Sequence, residues 1–216
     1  LFGYAHVPWM AKKQRLIDEA ALPGPAERLR QAQLSAKALV EAGYVPIGLD
    51  HFALPDDSMT IAAQSGRLRR NFQGYTTDQA DIMLGVGATS IGKSSMGFVQ
   101  NTTETGAWAR AVEGGVLPTA KGYALQGEDR LRSYVIEQLM CVGSVDLDEA
   151  TRRFEASPSW YRDTGENLTE MERDGLIERV GNMIKITEKG AVYVRVIAAA
   201  FDAYLTTSKA RHAVTV

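Results

Sequence analysis

The pattern of hydrophobic and polar positions predicts alternating strands and helices in the first part of the chain. Apolar residues recur at helical spacing over residues 25–42, and the apolar runs at 1–7 and 44–50 on either side predict buried strands. Strand, helix and strand in this order make up a parallel βαβ unit. A helix at 57–67 and a third apolar run at 82–86 continue the pattern. We therefore expect a parallel α/β arrangement, with ligands near the carboxyl ends of the strands.

Helical patterns dominate after about residue 125. Val135, Ile136 and Leu139 share one face of the first of these helices. The order of elements that follows resembles a winged helix, with short helices at 146–157 and 164–175, a hairpin at 177–187 and a long closing helix at 188–208. We predict two domains: residues 1–125 with α/β character, and residues 126–216 as a mostly helical, winged-helix-like domain.

Composition and charge narrow the classes of protein to consider. With 216 residues and 45% apolar composition the chain can bury a core, which excludes intrinsic disorder. Lysine and arginine total 24 against 26 aspartate and glutamate, so no basic excess favours nucleic acid as a partner. The most apolar stretch, 192–205, contains Arg195 and Asp202 and is shorter than the roughly 20 residues that cross a bilayer. We expect a soluble protein without a membrane partner.

The single cysteine, Cys141, bears on location and on metals. One thiol cannot form an internal disulfide, hold a zinc ion alone or ligate an iron–sulfur cluster. We therefore predict a cytoplasmic protein in which this chain supplies no metal ligand. The chain also opens on an apolar run rather than on an initiator methionine, which suggests a piece of something longer.

A phosphate-binding loop is the most conspicuous motif match. Residues 87–94, from Gly87 to Ser94, fit the pattern GxxxxGKS and follow an apolar run, so on their own they predict a nucleoside triphosphate site. Such a loop should open a helix, whereas residues 95–101 include Gly97 and show no helical periodicity. We keep a P-loop nucleotide-binding domain as an alternative. A winged-helix regulatory or binding module is the second alternative, although acidic residues in its helices would repel DNA phosphates.

Two polar clusters are further candidates for a site. Asp50, His51 and Asp57 follow a predicted strand, where ligands of parallel sheets collect, although Asp57 is also in place to cap the next helix. Three arginines could hold an acidic substrate or simply favour a helix end: Arg67, Arg69 and Arg70.

Several longer strings carry a resemblance to a known family. They are Asp-His-Phe-Ala at 50–53, Asn-Phe-Gln-Gly-Tyr-Thr-Thr at 71–77, and shorter matches at 2–8 and 85–92. Together they resemble the oxygen-independent coproporphyrinogen III oxidases, which are radical S-adenosylmethionine enzymes of haem biosynthesis. The resemblance runs across nearly all 216 residues. Members of this family begin with an α/β barrel portion that holds a CxxxCxxC loop, and no such motif occurs in this chain.

The resemblance implies that the chain is the C-terminal half of such an enzyme. Residues 1–125 would be the last part of an open parallel (βα) barrel, and the helical domain would be its cap. The missing N-terminal half would bind the [4Fe–4S] cluster that cleaves S-adenosylmethionine, so the isolated chain would be inactive. The enzyme would be an oxidoreductase that decarboxylates two propionates of coproporphyrinogen III to vinyl groups, giving protoporphyrinogen IX. By motif position, family contacts to S-adenosylmethionine match Ala5 and Ile91, and no catalytic residue is assigned.

Overall fold

The computed structural model describes residues 1–9 and 11–205 as short strands and helices. The strands are β1 (Val45–Ile47), β2 (His51–Ala53), β3 (Arg69–Asn71), β4 (Gly74–Thr76), β5 (Ile91–Ser94), β6 (Gly97–Asn101), β7 (Thr119–Ala124), β8 (Ser144–Asp146), β9 (Ile177–Val180) and β10 (Met183–Ile186). The helices are α1 (Pro25–Glu41), α2 (Ser58–Gln64), α3 (Thr105–Glu113), α4 (Asp129–Val142), α5 (Leu147–Arg153), α6 (Gly165–Arg173) and α7 (Val194–Ala199). Short 3₁₀ turns lie at Lys12–Leu16, Glu19–Ala21, Arg162–Thr164 and Ala191–Tyr193.

All strand pairs among the described residues are antiparallel, so the expectation of a parallel βαβ unit is wrong there. The strand orders in the four sheets are β1-β2, β3-β4, β5-β6-β7 and β8-β10-β9. The predicted helix at 25–42 is confirmed as α1, which has proline at its first position. The run at 44–50 turns back at Gly48, where φ is 58°, and pairs with β2 as a hairpin. Any Cβ at Gly48 would overlap the ring of Tyr75, so glycine is required for this turn.

The two other predicted strands of the first part do not form. Among residues 1–9 and 11–205 no strand pairs with residues 1–7. The side chain of Gln14 satisfies part of their backbone instead: it accepts from Val7 N at 2.6 Å and donates to Ala5 O at 3.1 Å. The run at 82–86 makes only an isolated bridge, between Met83 and Lys93. Apolar composition alone does not make a strand, because the backbone needs a partner to pair with.

The second part follows the predicted order of helices and hairpin. Helix α4 buries Val135 and Leu139 in the largest core cluster, as predicted, and leaves Ile136 partly buried beside it. The predicted hairpin at 177–187 is confirmed as β9 and β10, and β10 also pairs with β8 on its other side. The predicted helix at 188–208 is wrong in its length: α7 ends at Ala199, and the Asp202 side chain accepts from Tyr204 N at 2.8 Å in a turn. Residues 206–208 of that prediction lie outside the described residues.

A smaller core holds the hairpin β1–β2 against α2, with Ile47, Ala53, Ala62, Leu68 and Tyr75 as its buried members. In residues 1–9 and 11–205 no helix combines the length and apolar character needed to cross a membrane. The predicted boundary near residue 125 stays a prediction.

Candidate cofactor site

A pocket of about 370 Å³ lies beside the turn between β3 and β4. Three short segments line it: Phe72 and Gln73 of that turn, residues 83–86, and residues 89–91 at the start of β5. We call residues 83–91 the pocket loop. The volume falls within the range of small-molecule sites, which is roughly 300–1,000 Å³.

The pocket is open to solvent, and one wall of it is apolar, while Gln73, Thr89 and Ser90 add polar groups to the lining. Leu84 is 84% exposed, Val86 is 88% exposed, and Phe72 packs edge-on against Phe98 with ring centroids 5.4 Å apart. Apolar side chains grouped on a surface in this way mark binding or contact sites, because leaving them in water is unfavourable. The pocket is therefore suited to an apolar or aromatic part of a ligand.

The pocket loop is folded tightly against the start of β5. A Cβ at Gly85 would lie 2.8 Å from Ser90 Cβ, so only glycine allows the two ends of the loop to approach so closely. The Ser90 hydroxyl donates to Val86 O at 2.6 Å, and Thr89 N donates to Thr102 O at 2.9 Å. These contacts fix the shape of the apolar wall.

Of the two residues that the resemblance assigns to S-adenosylmethionine, the structure places only Ile91 in this wall. Ala5 lies in the exposed segment near the amino terminus, outside the pocket lining, and its carbonyl accepts from Gln14. Both assignments stay predictions. Sequence reasoning missed Leu84 and Val86 as wall residues, since their apolar run was interpreted as a buried strand. Gly85 within that run and Gly87 directly after it were the available indication of a turn.

The P-loop alternative loses its structural basis. Residues 87–90 form a turn and residues 91–94 form strand β5, so no helix begins after the glycines to direct N–H groups at a phosphate. Lys93 pairs with Phe98 across the β5–β6 hairpin and with Met83 through the bridge.

Replacing Lys93 with alanine is expected to change the free energy of unfolding by no more than about 0.5 kcal/mol, as for other strand-surface positions without a special contact. Calorimetry should detect no magnesium-dependent ATP binding in the unsubstituted chain or in Lys93→Ala. Lys121→Ala, on strand β7 of the same sheet, is the matched control. ATP binding that disappears only in Lys93→Ala would restore the P-loop interpretation.

The polar residues at 50–57, which follow β1, make contacts that stabilise the fold. Asp50 Oδ1 lies 2.7 Å from His51 Nδ1, and Asp50 Oδ2 lies 3.3 Å from a guanidinium nitrogen of Arg195 in α7. Asp57 accepts from Met59 N at 2.7 Å and so caps α2. Within the described residues no group of three or more histidine, cysteine, aspartate or glutamate side chains is arranged to hold a metal ion.

The three candidate arginines differ in the contacts that their guanidinium groups make. Arg69 pairs with Glu137 of α4 at 2.9 Å, and the Arg70 guanidinium carbon lies 4.6 Å from the centroid of the Tyr75 ring. Arg67 donates to the hydroxyl of Ser65 at 3.1 Å, and Arg70 Nη1 is buried with no hydrogen-bond partner among the described residues. Of the three, Arg67 and Arg70 therefore have guanidinium groups without a carboxylate partner in the part of the chain that the structure describes.

Tyr75 connects the β1–β2 hairpin to the end of α4. Its hydroxyl accepts from Leu49 N at 3.1 Å and donates to Met140 O at 3.0 Å, and burial raises the pKa of this phenol. Next to it, burial followed by the nearby Glu137 carboxylate raises the pKa of the Cys141 thiol to about 12. Cys141 is thus a protonated core thiol at neutral pH, and a metal cluster needs thiolates.

A comparison with models of known protein families shows which family the second part of the chain resembles. Residues 125–193 match the family model described as the HemN C-terminal domain. The match falls on the segment of α4 to β10 that the sequence pattern separates from the rest.

Relatives extend the match to almost the whole chain. It is 47% identical over 212 residues to the oxygen-independent coproporphyrinogen III oxidase of Bradyrhizobium diazoefficiens, covering 98% of this chain and 47% of that protein. It is 46% identical over 207 residues to the protein of the same name from Cereibacter sphaeroides, covering 95% of this chain and 46% of that protein. The solved coproporphyrinogen III oxidase (HemN) of Escherichia coli, a radical SAM enzyme, superposes with a TM-score of 0.87 at 33% identity, over 94% of this chain and 47% of that one.

The resemblance found in the sequence is confirmed. The chain corresponds to the C-terminal part of the oxygen-independent coproporphyrinogen III oxidases, and it spans about half the length of the relatives it matches.

Proposed function

We propose that this chain supplies the C-terminal part of an oxygen-independent coproporphyrinogen III oxidase. The observation that carries the proposal is the 47% identity to the Bradyrhizobium diazoefficiens oxidase across 98% of the chain. The whole protein would decarboxylate two propionates of coproporphyrinogen III to vinyl groups and release protoporphyrinogen IX. The chain would have to act together with an N-terminal half that supplies the cluster, and cytoplasm is its expected location.

The two parts of the chain have separate roles in this proposal. Residues 1–125 would complete an open parallel (βα) barrel whose other strands lie in the N-terminal half. The antiparallel hairpins would then be additions around that barrel, and apolar residues exposed in this part outside the pocket support such a contact: Phe2, Leu16 and Leu117. Residues 126–216 would be the winged-helix-like cap, a proposal supported by the order α4, β8, α5, α6, β9 and β10.

The residues present fit one of the two implied cofactors. A small pocket with an apolar wall suits S-adenosylmethionine, and Ile91 would contact it there, with Ala5 as a further contact. The iron–sulfur cluster does not fit this chain, because its only cysteine is the half-buried Cys141 and one thiol cannot ligate a cluster. When bound, S-adenosylmethionine supplies the group that abstracts hydrogen. The chain's own contribution would be to hold the cofactor through an apolar contact at Ile91.

The substrate carries carboxylates, and the chain offers a cation for one of them. Arg67 keeps its guanidinium free of carboxylate partners, whereas Arg69 is occupied by Glu137. A charge-assisted hydrogen bond from an arginine to a propionate is geometrically favourable. In this proposal Arg67 and Arg70, whose Nη1 is buried without a hydrogen-bond partner among the described residues, are therefore the candidate contacts among the three arginines.

A hybrid protein tests the proposal. In this hybrid the chain follows the part of the Bradyrhizobium diazoefficiens oxidase that precedes the matched segment. With the cluster reconstituted under anaerobic conditions, we expect the hybrid to convert coproporphyrinogen III to protoporphyrinogen IX, as measured by chromatography after oxidation to the porphyrins. The isolated chain is the control and should give no product. A folded hybrid that cleaves S-adenosylmethionine and forms no product would contradict the proposal.

A further inference from the structure

Asn101, at the end of β6, lies behind the pocket loop and does not line the pocket itself. Its side-chain amide nitrogen donates to Gly87 O at 2.9 Å and to Gly85 O at 3.3 Å. Its backbone N donates to Ser90 O at 3.0 Å. One residue thus binds the pocket loop at three carbonyls.

Both partners of the Asn101 side chain are carbonyl oxygens, which only accept hydrogen bonds. The amide group is suited to this place because its nitrogen has two hydrogens to donate. An aspartate has the same shape and places two acceptors there instead. The arrangement therefore depends on hydrogen-bond chemistry as well as on filling space.

The pocket loop would not keep this shape by local preference alone. Thr89 has a positive φ of 66°, a backbone conformation that β-branched residues rarely adopt. Gln100 supports it by donating from Nε2 to Thr89 O at 3.1 Å. A register shift at Gln100 and Asn101 in the pairing with β7 marks an irregularity of the kind that redirects side chains.

From this geometry we propose that Asn101 is a positioning residue for S-adenosylmethionine: its amide holds the pocket loop in the shape that presents Ile91 to the cofactor. The inference rests on the proposed function, since that function supplies the ligand. Asn101 touches no ligand in this scheme and acts through the carbonyls of Gly85 and Gly87.

Hydrogen exchange on the full chain tests the positioning without any ligand. Exchange of the backbone amide of Thr89, which donates to Thr102 O at 2.9 Å, should be roughly tenfold faster in Asn101→Ala, because two hydrogen bonds that hold the pocket loop are lost. Asn101→Asp should be faster still, since its carboxylate faces two carbonyl oxygens. Asn182→Ala is the matched control: Asn182 donates to Asp148 at 2.9 Å in the second part, and its loss should leave residues 84–91 unchanged.

The exchange rates of the two variants show whether Asn101 acts by donating hydrogen bonds or by filling space. If Asn101 only filled space, the isosteric Asn101→Asp would be milder than Asn101→Ala, and that order would overturn the proposal. Lowering the pH should restore part of the protection in Asn101→Asp relative to the unsubstituted chain at the same pH, because a protonated carboxyl can donate one hydrogen bond. Absence of this recovery would also count against it.

Binding to the hybrid tests the link to the cofactor. By equilibrium dialysis, S-adenosylmethionine should bind roughly tenfold more weakly to Asn101→Ala than to the unsubstituted hybrid, and KM for the cofactor should rise more than kcat falls. Equal affinity in both would overturn this inference and leave the proposed function intact. An unsubstituted, folded hybrid that binds no S-adenosylmethionine would overturn the proposed function, and the inference with it.

Discussion

Replacing Ile91 with aspartate is expected to weaken S-adenosylmethionine binding to the hybrid by roughly a hundredfold or more. Ile91 stands in the apolar wall of the 370 Å³ pocket, and a carboxylate there would lose its hydration against the cofactor without gaining a partner. Ile91→Val keeps the apolar contact and should bind nearly as well as the unsubstituted hybrid. Equilibrium dialysis with labelled S-adenosylmethionine measures all three affinities.

Two controls separate a local effect of Ile91→Asp from unfolding. Val180→Asp introduces the same charge at a strand position that is 80% exposed and distant in sequence from the pocket, and it should leave binding unchanged. The absorbance of the cluster, held by the other half of the hybrid, should persist in every variant. If Ile91→Asp binds S-adenosylmethionine normally in a folded hybrid, Ile91 is a plain packing residue.

Replacing Phe201 with alanine is expected to lower the free energy of unfolding by about 3–5 kcal/mol. Phe201 is fully buried, its ring lies 5.9 Å from that of Trp160, and its carbonyl accepts from Arg132 at 3.3 Å. Removing the ring leaves a cavity among α4, α7 and the segment around Trp160, which the neighbouring backbone cannot close. Urea unfolding followed by circular dichroism measures the change.

Val196→Ala is the matched control for Phe201→Ala. Val196 lies in α7, close to Phe201 in sequence, but is 56% exposed, so its truncation should change the free energy of unfolding by less than about 1 kcal/mol. If both substitutions cost the same, Phe201 would not hold the core as its burial indicates.

Local chemistry explains the elements that the sequence predicted well. Helix α1 forms where Pro25 can occupy the first helical position and Gly43 follows the last turn. The β9–β10 hairpin turns at Gly181 and Asn182, and φ at Gly181 is 62°. In both cases the residues that decide the structure are neighbours along the chain.

The failed predictions concern apolar runs that need a distant partner. Residues 1–7 and 82–86 have the composition of buried strands, yet in the described part of the chain no strand lies beside the first and only a bridge to Lys93 lies beside the second. The direction of pairing for 44–50 was also wrong, because the close approach of Gly48 to Tyr75 turns the chain back.

By itself the sequence determined the family resemblance and those helices and hairpins that have their own start and stop residues. It also determined that this chain has too few cysteines to ligate an iron–sulfur cluster. Only the tertiary structure decided that Ile91 shares a pocket with Phe72 and the loop at 83–86, and that Asn101 holds that loop from behind. The physical reason is the distance along the sequence over which each interaction acts. Capping, turns and periodicity act within a few residues, whereas a pocket wall and its hydrogen bonds join residues that only packing brings together.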